Sequence, residues 1–132
     1  MPRGPIPTTH LDLLEGALLG HLATVDPLGR PQVNPVWFLW DGGHLLVGVL
    51  DGAKKLANVR RNPHVALSIA DPSNPGRYLE VRGVVARIEL HRDRGFFNRL
   101  ARKYTGADSE DGEPDDPRHQ LTIRVESWTA LG

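Results

Sequence analysis

The chain has 132 residues, no cysteine, and 16 basic against 16 acidic residues. This length favours one domain over residues 1–132. The lack of cysteine excludes disulfides and thiolate metal sites and makes the cytoplasm the expected compartment. No apolar run approaches the roughly 20 residues of a membrane span, and the start, MPRGPIPTTH, lacks the apolar middle of a signal peptide.

The net charge of zero hides an asymmetry along the chain. Six acidic residues fall within residues 108–116, in a segment 106–117 that we expect to be a solvated acidic loop. The rest of the chain carries 16 basic and 10 acidic residues, which suits an anionic ligand. The four basic residues within 54–61 have no interleaved aromatic side chains, so nucleic acid is not an expected partner.

The start of the chain predicts a helix and a turn that leads into paired strands. Residues 1–8 are rich in proline and are expected to be loose. A helix is expected over residues 8–19, ended by Gly20, because leucine and alanine recur there at helical spacing. A strand at residues 21–25 is followed by a DPLG turn, in which proline presets φ and glycine tolerates positive φ.

A second strand, expected at residues 31–40, carries amide side chains on one face. Gln32 and Asn34 share that face with Val36, and these amides and the backbone could hold a planar ring laid along the strand. The alternative is that both amides are ordinary solvent-facing polar residues. Apolar residues occur on both faces, which is typical of a strand that is covered on both sides.

A DGG turn then leads to a strand at residues 44–50 and to a short helix at residues 52–61, for which Asp51 is the expected cap. Lys55 and Asn58 lie about 60° apart on one shoulder of the buried stripe of this helix. They also lie near a helix N-terminus, which favours anions. A phosphate there could accept a charge-assisted hydrogen bond from Lys55. The alternative is a solvated basic helix.

The second half of the chain predicts three more strands and a third helix. The strands are expected at residues 64–70, 77–90 and 118–125, with a bulge or bend at Gly83, where the apolar side chains change face. The helix is expected at residues 92–104. Six antiparallel strands with three short helices predict a mainly β fold, a small barrel whose closure removes exposed strand edges.

Side chains that could catalyse a reaction unaided are missing from the sequence. It has no Gly-x-Ser-x-Gly elbow, no cysteine nucleophile, no glycine-rich phosphate loop, and six histidines that never occur at metal-ligand spacing. We therefore expect no metal site and assign no catalytic residue. If the protein is an enzyme, a bound cofactor carries the reaction.

Four segments of the chain resemble one protein family. They are ATVDPLGRPQVNPVWFLWDGG, KKLANVRRNPHVAL, RYLEVRGVVARIE and LARKYTGAD. In this order they are similar to the pyridoxamine 5′-phosphate oxidase-like split β-barrel oxidoreductases, which use flavin or deazaflavin, and most to their actinobacterial coenzyme F420-dependent branch. The resemblance covers residues 10–128. It implies a six-stranded antiparallel split β-barrel and a homodimer with cofactor sites at the interface.

The resemblance also implies which residues bind the cofactor. Lys55 and Asn58 match the family's K-x-x-N positions, where the cofactor phosphate is held. The family's strand that lines the deazaflavin ring is matched by Gln32, Asn34, Val36 and Trp37. The segment before the phosphate helix is matched by Val49, Leu50 and Asp51. The loop that approaches the cofactor is matched by Arg77 and Tyr78. The chain departs from the family's sequence pattern at two places. The segment SEDGEPDDPRHQ lacks the aromatic and Pro-Gly-Glu pattern of the family, and Pro35 removes a backbone donor near the ring.

The expected function is that of an F420-dependent oxidoreductase, which transfers a hydride between the deazaflavin and a small unsaturated organic substrate. Two alternatives stay open. One is an FMN-binding oxidoreductase of the same fold, and the other is a flavin- or F420-binding carrier without turnover. The basic body of the chain suits the acidic tail of F420, which FMN lacks.

Overall fold

A computed structural model of the chain describes residues 2–108 and 118–132, so most of the predicted acidic loop, residues 109–117, lies outside the described residues. The strands are β1 (Gly20–Val25), β2 (Pro31–Val36), β3 (Phe38–Trp40), β4 (His44–Leu50), β5 (His64–Asp71), β6 (Asn74–His91) and β7 (Arg118–Leu131). The helices are a short 3-10 helix (Thr8–His10), α1 (Leu11–Glu15), α2 (Lys54–Arg61) and α3 (Gly95–Thr105).

The strands form one antiparallel sheet in the order β2-β1-β5-β6-β7-β4-β3. Its two edge strands, β2 and β3, are consecutive in the chain and are separated only by Trp37. The sheet therefore curls until its two edges meet at this residue. This arrangement confirms the predicted fold class, a mainly β split barrel with short helices, although the described residues form seven strands instead of six.

The extra strand arises because the predicted strand at residues 31–40 changes partner at Trp37. Its first half pairs with β1, whereas its second half pairs with β4 at the other end of the sheet. Val36 and Phe38 are buried, but Val33 and Trp37 are exposed on the opposite face. The prediction of one continuous strand was therefore wrong, and within a single chain β2 is covered on one face only.

The main core lies inside the curled sheet and is closed by α1 and α2. Its buried side chains include Leu13, Leu22, Leu45, Val47, Leu56, Val59, Leu67, Ile69, Leu79, Leu121 and Ile123. Each such side chain stabilises the fold by about 1.5–3 kcal/mol relative to an exposed one. A second, smaller cluster, formed by Leu46, Phe96 and Leu100, lies between the outer face of β4 and α3. The helix α3 is thereby fixed outside the sheet.

The predicted bend at Gly83 is confirmed. The pairing of β6 with β7 shifts register between Arg82 and Gly83. A Cβ atom at residue 83 would lie 2.2 Å from the carbonyl oxygen of Arg124, so only glycine fits between the two strands at this point.

Two predicted helix ends differ from the structure for local reasons. The first helix ends at Glu15, because Gly16 adopts an extended backbone, and Gly20 is already part of β1. Asp51 does not cap α2. Gly52 adopts a left-handed conformation with φ of +81°, and the helix begins two residues later behind Ala53, with no side-chain cap.

The N-terminal residues, which we expected to be loose, are bonded to the last strand. The backbone and the indole N–H groups of Trp128 donate hydrogen bonds to the carbonyl oxygens of Pro2 (3.0 Å) and Gly4 (3.3 Å), respectively. Ile6 is buried in the main core. β7 also continues past Val125, where we expected it to end, because its second half pairs with β6.

Candidate functional site

A cleft of about 650 Å³ lies where β2 gives way to β3, between α2 and α3. Its lining comes from five parts of the chain: Pro35, Val36 and Trp37; Gly48; Lys55; Phe97, Leu100, Ala101, Thr105, Ala107 and Asp108; and Arg118. Three of the predicted site residues, Val36, Trp37 and Lys55, are thus brought together here. We call this space the main cleft.

Trp37, which lines the main cleft, packs against Tyr104 of α3. The rings of Trp37 and Tyr104 stack with centroids 4.9 Å apart and an angle of 2° between their planes. The Tyr104 hydroxyl donates to the carbonyl oxygen of Leu18 (2.7 Å) and accepts from the backbone N–H of Phe38 (3.2 Å). Burial raises the pKa of Tyr104. These hydrogen bonds therefore fix the position of the Tyr104 ring. Trp37 packs against this ring and is still 40% exposed.

Lys103 fixes α3 to the backbone next to Trp37, where β2 ends and β3 begins. Its Nζ donates to the carbonyl oxygens of Leu14 (3.1 Å) and Phe38 (2.8 Å) and lies 4.0 Å from the centre of the Phe38 ring. Burial lowers the pKa of Lys103 to about 8. Because these bonds reach α1 and β3 at once, this side chain joins three elements around the main cleft.

Two cationic side chains face the main cleft from different elements. Lys55 lies in the first turn of α2, and burial lowers its pKa. Arg118 begins β7, and its guanidinium carbon lies 4.5 Å from the centre of the Phe97 ring, in a cation–π contact. Within residues 2–108 and 118–132, neither side chain forms an ion pair. Asp108, also at the cleft, is ion-paired with Arg102.

Asn58 and Gln32 lie at a second, smaller cleft of about 330 Å³ on the other side of α2, with Lys54 and Ala57. Asn58 is only 6% exposed, and its Nδ2 donates to Thr24 Oγ1 (3.1 Å) and to Gln32 Oε1 (3.3 Å). The two residues of the K-x-x-N pattern therefore point toward different clefts. We call this second space the side cleft.

The other predicted residues near these clefts line neither of them. Asn34 is half-buried on the same face of β2 as Gln32 and Val36. The side chain of Val49 is part of the main core, and that of Leu50 is 57% exposed. Their place in a ligand site stays a prediction.

Arg77 and Tyr78 lie near the start of β6. The Arg77 side chain is bonded to other residues of the chain. It pairs with Asp12 (2.6 Å) and Asp71 (3.1 Å) and donates to the carbonyl oxygen of Thr9 (2.6 Å). The hydrogen bond from Arg77 holds the pKa of Asp12 below its usual value. Tyr78 is half-buried and pairs with Leu131. Neither residue lines the main or the side cleft.

Sequence reasoning missed Arg118 and Phe97 as residues that line the main cleft, and Tyr104 as the residue against which Trp37 packs. Arg118 reaches the cleft because β7 lies beside β4, where it is opposite Leu50. Phe97 reaches the cleft, and Tyr104 reaches Trp37, only because α3 packs outside the sheet. The single signal in the sequence was the basic character of the chain outside the acidic segment.

In the part of the chain that is described, no group of three or more metal-ligating side chains is close enough to hold an ion. Among the same residues, no helix has the length and apolar character needed to cross a bilayer.

Comparison with known proteins gives one consistent family. No curated protein sequence matches the chain. Among solved structures, a protein named F420 Reductase is 40% identical, covers 94% of this chain and 98% of its own, and superposes with a TM-score of 0.88. A Listeria innocua protein named for pyridoxamine 5′-phosphate oxidase is 26% identical, with 93% and 95% coverage and a TM-score of 0.68. A similarly named protein from Lactobacillus delbrueckii is 25% identical, with 96% and 94% coverage and a TM-score of 0.65.

The family model named Pyridoxamine 5'-phosphate oxidase matches residues 6–132, which is nearly the whole chain and includes both clefts. The curled sheet, the break at Trp37 and the position of α2 all fall within the matched residues. The chain therefore belongs to the pyridoxamine 5′-phosphate oxidase family.

Proposed function

We propose that this chain is a cytoplasmic F420-dependent oxidoreductase, which transfers a hydride between the deazaflavin and a small unsaturated organic substrate. The observation that carries the proposal is the main cleft, where Lys55 and Arg118 face an aromatic wall formed by Trp37. Its volume lies within the range of small-molecule sites. The similarity to the protein named F420 Reductase favours F420 over other cofactors.

The residues present fit an anionic, planar cofactor. Lys55 and Arg118 would hold the phosphate by charge-assisted hydrogen bonds, and the partial burial of Lys55 strengthens such a bond. The exposed part of the Trp37 ring, with Val36 beside it, would contact the planar ring. The cofactor, when bound, supplies the hydride chemistry. The chain orients the two reactants and excludes water from between them.

The outer face of β2 supports a homodimer. Val33 is 61% exposed there, and Trp37 is also exposed on the same side of the strand. Apolar side chains on an exposed sheet face are typical of a protein–protein contact. A second copy seated on this face would border the main cleft through Trp37 and so help to enclose a ligand.

FMN is the second candidate cofactor, because its phosphate and planar ring meet the same two features of the cleft. A carrier without turnover is the third reading. It is favoured by one observation, namely that the only carboxylate lining the main cleft within the described residues, Asp108, is occupied by Arg102.

The first experiment measures the affinity of the purified protein for F420, FMN and riboflavin by fluorescence titration. Lys55→Met and Arg118→Met should each weaken F420 and FMN binding about 10- to 150-fold, since each removes a hydrogen bond from a charged group, worth about 1.5–3 kcal/mol. Riboflavin, which has no phosphate, should be unaffected. Arg61→Met, which changes an exposed cation at the end of the same helix that lines neither cleft, is the matched control. If neither variant changes F420 or FMN binding, the phosphate does not occupy the main cleft.

A second experiment separates an enzyme from a carrier. Reduced F420 or FMN bound to the protein is mixed with a panel of unsaturated acceptors, and reoxidation of the cofactor is followed by stopped-flow absorbance. Acceptor-dependent reoxidation that is faster than for the free cofactor supports the oxidoreductase. Reoxidation at the rate of the free cofactor with every acceptor would favour the carrier.

A further inference from the structure

The imidazole ring of His119, on β7, is buried between two charged side chains that flank α2. The side chain is 7% exposed. Its Nε2 lies 3.5 Å from Nη2 of Arg60, in the last turn of α2, and its Nδ1 lies 3.7 Å from Oδ1 of Asp51, which precedes the helix. Within the described residues, this Nδ1 is buried and has no hydrogen-bond partner. A buried polar group without a partner is unfavourable, so the nearby Asp51 carboxylate is the group that can satisfy it.

The contact with Arg60 determines which nitrogen of the His119 ring carries the proton. A guanidinium group can only donate hydrogen bonds, so Nε2 of His119 is the acceptor. The proton of the neutral ring is therefore on Nδ1, the atom that faces Asp51. The Asp51 side chain is 57% exposed and can turn toward or away from this donor.

Asp51 also has positively charged groups close to it along the chain. It is the acidic residue nearest to Lys55 in the sequence, four positions before it, and aspartate is a residue type that commonly caps a helix. The structure shows neither contact. The helix α2 has no side-chain cap, and Lys55 forms no ion pair in the part of the chain that is described. The carboxylate lies near His119 instead, and the Lys55 ammonium group stays available at the main cleft.

We propose that His119 is a positioning residue, which holds the Asp51 carboxylate away from Lys55 and so keeps this ammonium group available to the anionic group of the ligand. The inference rests on the proposed function, which places the phosphate of the ligand at Lys55. A carboxylate paired with Lys55 would compete for its N–H donors and repel the phosphate. His119 lines neither the main nor the side cleft, so it acts through Asp51 and not by contact with the ligand.

The contact between His119 and Asp51 is tested first in the free protein. Long-range ¹H–¹⁵N spectra distinguish a proton on Nδ1 from one on Nε2, and the variant His119→Gln identifies the signals of this ring among the six histidines. We expect the neutral ring to carry its proton on Nδ1. His119→Gln should also move the side-chain signal of Lys55, but should leave it in place in an Asp51→Asn background. A neutral ring protonated on Nε2 would overturn the inference.

The second test measures the binding of F420, FMN and riboflavin to the same variants. His119→Gln should weaken F420 and FMN binding about 3- to 10-fold, because the phosphate must then displace Asp51 from Lys55. Riboflavin, which lacks the phosphate, should be unaffected. Asp51→Asn should bind FMN at least as tightly as the wild-type protein. Added to His119→Gln, it should restore the affinity for FMN to within about twofold of the wild-type value.

Two further variants show whether the effect belongs to the Nδ1 donor of His119. His119→Asn is the conservative change, since its amide can place an N–H group where Nδ1 lies, and it should bind FMN within about twofold of the wild-type protein. His64→Gln, which replaces an exposed histidine at the start of β5, is the matched control and should also bind within about twofold.

The double variant distinguishes Asp51 from other causes. If it binds FMN as weakly as His119→Gln alone, the loss arises elsewhere, as through the neighbouring Arg118, and the inference is overturned. An equal loss of riboflavin affinity, or unchanged FMN affinity in a folded His119→Gln protein, would also overturn it. If the wild-type protein binds neither F420 nor FMN, the proposed function fails instead, and the spectra of the free protein still decide whether His119 holds Asp51.

Discussion

The half-buried ammonium group of Lys103 makes the stability of the protein depend on pH in an unusual direction. Its Nζ is bonded to two carbonyl oxygens, and burial lowers its pKa from 10.5 to about 8. Lys103→Met keeps the length of the side chain and removes both the charge and the donor. The quantity to compare is the free energy of unfolding of the two proteins as the pH rises from 7 to 10.

The sign follows from proton binding. Between pH 8 and 10.5 the unfolded chain holds a proton on Lys103 that the folded chain has released, so the free energy of unfolding rises with pH. The full shift corresponds to about 3.4 kcal/mol, and solvent screening of this partly exposed side chain reduces the expected rise to about 1–2 kcal/mol. Tyr104 has the opposite effect on the free energy of unfolding, but only near and above pH 10. There its raised pKa keeps the folded chain protonated while the unfolded chain loses the proton.

Urea unfolding at pH 7, 8, 9 and 10 measures the effect. The stability of the wild-type protein relative to Lys103→Met should increase by about 1–2 kcal/mol between pH 8 and 10. Comparison with this variant removes the contribution of Lys55, whose pKa burial also lowers. Lys54→Met, which changes an exposed lysine, is the control. A difference between wild type and Lys103→Met that stays constant or shrinks over this range would refute the reasoning.

Two other substitutions test the fold. Gly83→Ala should lower the free energy of unfolding by about 1–3 kcal/mol or prevent folding, because its Cβ would lie 2.2 Å from the Arg124 carbonyl oxygen, and a change below about 0.5 kcal/mol in urea unfolding would contradict the tight crossing. In Arg77→Met, the free energy of unfolding should fall less steeply as the pH drops below about 5, because Arg77 holds the pKa of Asp12 below 3.8 only in the folded state. An acid titration of the variant, followed by circular dichroism, that superposes on the wild-type curve would count against the ion pair.

The parts of the fold that could be predicted from the sequence depend on local chemistry. The DGG hairpin turn is stabilised by its own aspartate, because the Asp41 carboxylate accepts hydrogen bonds from the N–H groups of Gly43 (2.8 Å) and His44 (2.6 Å). Such a turn fixes where the next strand begins, and the bounds of β4 agree with the prediction. The irregularity at Gly83 could also be predicted, because a change of face in the apolar pattern within a strand indicates a bulge or bend.

The parts that could not be predicted depend on which strands become neighbours. Nothing near residues 31–40 in the sequence indicates that this segment changes partner at Trp37, because the apolar run at residues 36–40 is equally compatible with one continuous buried strand. The place of Arg118 in the cleft likewise requires that β7 lie beside β4. Of the predicted site residues, Val36, Trp37 and Lys55 meet at the main cleft, whereas Gln32 and Asn58 meet at the side cleft.

The strand break at Trp37 accounts for the position of the main cleft. Where the chain crosses from one edge of the sheet to the other, its backbone leaves the strand ladder, and the N–H of Phe38 is satisfied by the Tyr104 hydroxyl instead of a neighbouring strand. The carbonyl of Phe38 is satisfied by Lys103 in the same way. The helix α3 therefore has to lie beside the break, and its side chains become one wall of the cleft. If the proposed ligand occupies this cleft, it contacts the segment that closes the sheet, and we expect its binding to stabilise that closure.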